Sequence, residues 1–179
     1  MYMKKLLFAA ALLCGVIANA QEYKVEGTSV VFTKVIENTG KTVAEAHSAL
    51  EAFFALRYND VNSTQKLNQE DHLIYKGIFG TVHTFPLGWV IDMPHTVDVS
   101  IKENRLRVKV TIDEGVCRST ANANRYTYPV YDYSPIGTHN KNLLKKDAIR
   151  AFEVTCDRIN ALFADIENSL HNSSTEEDW

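Results

Sequence analysis

The sequence predicts an α+β fold, an antiparallel sheet with two helices on one face. Three stretches carry that expectation. VDVSIKENRLRVKVTI alternates apolar and polar residues and reverses parity at its middle, the pattern of a hairpin with one dry face. A capping box followed by an apolar stripe marks one helix, and a longer apolar stripe near the C-terminus marks a second. A helix with one apolar stripe and a sheet with one dry face must cover each other, and the economical assembly is two layers.

The elements follow in chain order. MYMKK is a basic start, LLFAAALLCGVI an apolar run, and Ala18-Asn19-Ala20 a small-residue site. That order describes a secretory signal peptide over 1–20, and the apolar run is too short to span a bilayer. Lipid anchoring at Cys14 is disfavoured, because Leu13 precedes it where a lipobox needs a small residue. One domain over 21–171 is expected behind the signal, and the acidic stretch 172–179 reads as a frayed tail.

SVVFTKVIE (29–37) reads as a strand, bounded by Gly27 and by Asn38 to Gly40. Thr42 with Glu45 forms the capping box of a helix reaching Arg57, and Val43, Ala46, Leu50, Phe53 and Phe54 make its stripe. Thr64 to Leu67 and His72 to Val82 read as paired strands around a turn at Asn68 to Asp71. Gly77 and Gly80 inside the second of these indicate a bulge or a close backbone approach. HTFPLGWVIDMPHT, with Pro86, Gly88 and Pro94, reads as a loop anchored by Trp89.

In the parity-switching hairpin, a two-residue turn at Glu103-Asn104 pairs Ile101 with Leu106, Val99 with Val108 and Val97 with Val110. The wet face then carries Asp98, Ser100, Lys102, Arg105, Arg107 and Lys109, with Asp98 opposite Lys109. The chain loosens after Cys117. A long helix resumes near Asn142, its stripe running Leu144, Ala148, Phe152, Cys156, Ile159, Phe163, Ile166 and Leu170. The predicted order is strand, helix, four strands, helix.

VVFTKVIENTGKTVAEAHSALEAFFALRY, EDHLIYKGIFG and the hairpin with NRLRVKV together resemble the secreted domain-of-unknown-function family 4468, described as having a TBP-like fold. The resemblance covers Val30 to Ile112 well, and the last helix fits in kind. It implies a single TBP-like unit behind an export signal in the Gram-negative envelope, periplasmic or extracellular. It supplies no activity and no catalytic residues. Fold likeness to a DNA-binding protein does not transfer DNA binding. The wet face lacks apolar wedges that pry base steps apart. The net charge is −3, and signal cleavage would remove two lysines and no acid, so a nucleic-acid partner is not expected.

The best candidate binding surface is RYTYPVYDYSP, with Tyr126, Tyr128, Tyr131 and Tyr133, four of the eight tyrosines. Such rings suit sugar or protein surfaces, yet they also cap core edges, and cover is the stronger reading. Trp89, and Arg105 and Arg107 of the basic strip, complete the candidate surface, although a solvated sheet face also explains the strip. Cys117 and Cys156 form a possible disulfide, which export permits; two reduced, buried thiols are the equal alternative. The six histidines lack metal-ligand spacing, and serine, cysteine and carboxylate nucleophiles lack a recognised frame. No catalytic, metal or cofactor site is expected. The expected function is a non-enzymatic envelope module binding a protein or a glycan. A small-molecule carrier with a cavity between helices and sheet, and a hydrolase with unidentified carboxylates, are the alternatives.

Overall fold

A computed structural model describes residues 23–58, 64–85, 88–134 and 145–172. The expected signal peptide and residues 173–179 of the expected tail lie outside the described residues, as do Pro86, Pro135 and Leu144.

The elements are β1 (Tyr23–Glu26), β2 (Ser29–Glu37), α1 (Val43–Arg57), β3 (Gln65–Gln69), β4 (His72–Phe85), β5 (Trp89–Lys102), β6 (Arg105–Ile112), β7 (Glu114–Ser119), β8 (Arg125–Pro129), a 3-10 turn (Val130–Tyr133) and α2 (Lys145–Asn172). They form an antiparallel sheet with two helices. Six strands run β1-β2-β6-β5-β4-β3, and β7 joins through β5, with β8 beyond it. The expected order is thus embedded in a longer one. β1 was missed because a four-residue strand with only alternate residues half-buried has little apolar signal. Gly27, at φ 66, makes the tight turn from β1 into β2.

The β5–β6 hairpin has the expected register. Ile101 faces Leu106, Val99 faces Val108, Val97 faces Val110, and Asp98 faces Lys109. The six apolar partners are buried while Lys102 and Arg105 are exposed. Asn104 takes φ 57, the left-handed conformation that a two-residue hairpin turn needs. The hairpin tip also fixes the start of α1: Thr39 donates to the Asn104 carbonyl, and Asn104 donates to the Lys41 carbonyl. The Thr42–Glu45 capping box is present, and α1 buries Ala46, Leu50 and Phe54. The stripe of α2 is buried through Ala148, Phe152, Ile159, Phe163, Ile166 and Leu170, with Cys156 half-buried. Lys34 and Glu167 (2.6 Å) and Arg57 and Asp165 (2.8 Å) tie β2 and α1 to α2 at the core's margins.

Two expectations are corrected. The loop expected from His83 to Thr96 is strand on both sides, ending β4 and forming the first half of β5. Pro94 misled the reading because a proline cannot donate to a ladder. It falls where β5 changes partner, after the last β7 pair (Asp92 with Val116) and before the first β6 pair (Thr96 with Thr111). A donor is dispensable in that gap. The chain after Cys117 is also more regular than expected, because Arg125–Pro129 returns as β8 against β7.

The two β4 glycines divide the two expected roles. The register shifts between Phe79 and His83, beside Gly80. Thr81 there takes φ 50 and donates its backbone N–H to Asp92 Oδ1, while Arg158 of α2 donates to the Gly80 carbonyl. This is the bulge. Gly77 is the close approach: a Cβ there would lie 2.5 Å from the Tyr58 ring.

Candidate functional site

The residues singled out in the sequence go to two ends of one long strand. β5 runs from Trp89 to Lys102, and fourteen residues of strand span about 45 Å. Trp89 stands at one end. At the other, Lys102 faces Arg105 and Ser100 faces Arg107. The aromatic and basic candidates therefore form separate surfaces.

At the first end, β7 brings β8 to β5. Ile91 faces Cys117, and Cys117 faces Tyr126, so these side chains share one side of the sheet with Trp89. The rings of Trp89 and Tyr126 are tilted against each other with centroids 5.5 Å apart. Tyr126 is 53% exposed. The other three tyrosines part company with it. Tyr128 and Tyr131 are half-buried and Tyr133 is in the core. A Cβ on Gly115 would meet the Tyr133 ring at 2.6 Å, so the ring packs close against the β7 backbone. Its hydroxyl has no hydrogen-bond partner among the described residues, and burial drives its pKa well above the usual tyrosine value. Period-two spacing paired Tyr131 with Tyr133, but a 3-10 turn there breaks that parity.

Cys117 is buried, Cys156 half-buried, and both are free thiols. Burial raises both thiol pKa values, that of Cys156 to about 11.

A cleft of about 610 Å³ lies where α1 ends beside β4 and β5, with Arg57, Tyr58, Lys76, His95, Asp113 and Glu114 among its lining. Its wall holds a pair that the sequence reading missed. The Tyr58 hydroxyl and His95 Nε2 are 3.0 Å apart. His95 Nδ1 is 3.4 Å from the Met93 carbonyl, which only accepts, so Nδ1 carries the proton and Nε2 accepts from Tyr58. Phe79 stacks on the imidazole at 3.9 Å. Burial lowers the His95 pKa to about 4 and raises that of Tyr58 to about 12. Both groups are neutral at pH 7 and every polar atom of the pair is engaged. The pair therefore builds a wall rather than offering a free base or nucleophile. Gly77, a glycine inside a strand, was the only advance signal of it.

The other described histidines scatter. His72 lies 2.9 Å from Asp98, and His83 lies 2.9 Å from Asp147. His47 reaches Asn68 at 2.7 Å. No group of three potential metal ligands occurs among the described residues.

No family model matches the chain, and no curated protein matches it. Two solved structures do. A TBP-like protein from Parabacteroides distasonis superposes with a TM-score of 0.67 at 17% identity, over 83% of this chain and 97% of that one. The fold is TBP-like. A DUF4468 family protein from Bacteroides ovatus is similar too, with a TM-score of 0.60 at 14% identity over 83% of this chain and 90% of that one.

On this TBP-like sheet the side away from the helices carries the basic strip. Arg107 Nη2 donates to Ser100 Oγ at 3.1 Å. Arg105 Nε lies 3.0 Å from Glu37 Oε1 on β2. Val35, opposite Arg107, is 40% exposed. The TBP-like likeness accounts for the scaffold alone.

Proposed function

We propose that this chain is an exported, non-enzymatic binding module of the cell envelope that engages a protein or glycan partner through the Trp89–Tyr126 shelf. The observation that carries the reading is Tyr126, more than half exposed beside Trp89 on a strand that, among the described residues, pairs with β7 alone. A tyrosine held against a second ring presents a rigid flat area that loses little conformational entropy on binding. The edge of β8 adds main-chain donors and acceptors. Export rests on the first twenty residues, and the engaged Tyr58–His95 pair favours recognition over catalysis.

The test is binding of the mature protein to isolated envelopes. Tyr126→Ser is expected to weaken binding with little change in melting temperature, whereas a Thr33→Ala control on the opposite face leaves binding intact. Equal binding by both variants would overturn the shelf. A second reading, a small-molecule carrier, draws its support from the 610 Å³ cleft. Mass spectrometry of the natively purified protein separates the two readings, because a carrier releases a stoichiometric small molecule on unfolding.

A further inference from the structure

We infer that the uncovered sheet face holds a phosphate-group site formed by Ser100, Lys102, Arg105 and Arg107, separate from the aromatic shelf and at the opposite end of β5. The register sets its geometry. Lys102 and Arg105 face each other directly across β5 and β6, and Ser100 and Arg107 face each other in the next row on the same side. Like charges directly opposite on a sheet destabilise it. Glu37 relieves Arg105 through a 3.0 Å ion pair, but among the described residues Lys102 and Arg107 have no carboxylate partner. Three cations thus face one carboxylate, a surplus of two.

A groove of about 340 Å³ opens among these side chains, with Val35 also in its lining. Ser100 Oγ accepts from Arg107 and keeps its own proton to donate outward. Two guanidinium forks, one ammonium and one hydroxyl therefore converge. Guanidinium forks fit the paired oxygens of a phosphate, and the ammonium adds a point charge. A phosphate monoester is close to a dianion at neutral pH, which matches the surplus of two. A monocarboxylate would neutralise only half of it. The bound group would also remove the repulsion between Lys102 and Arg105, so the free protein stores part of the driving force.

The probe is inorganic phosphate, titrated into labelled full-length mature protein at constant ionic strength while amide shifts are followed. Expected are saturable shifts confined to 35–37 and 100–107. In Arg107→Gln and in Lys102→Gln the affinity falls about ten-fold or more, as loss of a charge-assisted hydrogen bond would cause. Both side chains are exposed or half-exposed at the surface, and an unchanged spectrum away from the groove checks that the variants fold. Shifts that never saturate, that spread over other lysines, or that persist unchanged in both variants would overturn the site. A second arm identifies the source. Co-sedimentation with vesicles containing phosphatidic acid, a phosphate monoester, but not with phosphatidylcholine vesicles, competed by phosphate, assigns a lipid headgroup. Phosphate binding without co-sedimentation assigns a soluble phosphate ester.

Discussion

The Tyr58 hydroxyl and His95 Nε2 stand 3.0 Å apart, directly over the Cα of Gly77. A Cβ at Gly77 would come within 2.5 Å of the Tyr58 ring and 2.8 Å of His95 Nε2. This contact ties the end of α1 to β4 and β5, through a run of rings in which Phe54 stacks on Tyr75 at 4.2 Å. Gly77→Ala is therefore expected to cost about 1–3 kcal/mol by overpacking. Urea denaturation measures the loss. Adding Tyr58→Ala should recover part of it, since the second change empties the space that the first overfills.

His95 sets a pH dependence. Its folded pKa is lowered from 6.5 to about 4, chiefly by burial. The unfolded chain therefore takes up a proton first as pH falls. The stability from keeping His95 neutral is complete above pH 6.5 and is lost progressively between there and about pH 4. The loss is roughly 3 kcal/mol from this one group. His95→Gln, which does not titrate, should show a shallower fall than the wild type over that window. Identical slopes would contradict the assignment.

How much of this was legible in the sequence depended on period. Val97 to Ile112 was read to the register because alternation and a two-residue turn allow only one pairing. Thr42 and Glu45 announced α1 by a local reciprocal cap. Pro94 hid a strand, because its tolerance depends on a change of partner along β5 that only the assembled sheet reveals. Tyr58 and His95 are 37 residues apart and share no pattern, so their meeting is a tertiary fact. Trp89 and Tyr126 were both chosen on ring chemistry alone; the β5–β7–β8 pairing that joins them was not readable.

Tyr133 offers a test of packing. Its ring is fully buried and its hydroxyl lacks a partner among the described residues. Removing an unsatisfied buried hydroxyl while keeping the ring is neutral or stabilising by about 1 kcal/mol. Tyr133→Phe should thus melt at the wild-type temperature or above it. A fall of several degrees would show that the hydroxyl is bonded.

Cys117 and Cys156 are expected to count as two free thiols in the denatured, non-reduced mature protein. In the native protein both should alkylate slowly at neutral pH, because burial holds the thiolate population low. A count of zero would mean that the chain oxidises to a disulfide.

The central claim is that this domain works by holding a partner at the Trp89–Tyr126 shelf. Site-specific photo-crosslinking in the producing cells tests it most directly, with a benzophenone side chain in place of Tyr126 and, as control, in place of the exposed helix residue Ala52. The account predicts a discrete envelope adduct from position 126, absent from position 52 and diminished by Trp89→Ala. No adduct from 126, or the same adducts from both positions, would contradict it.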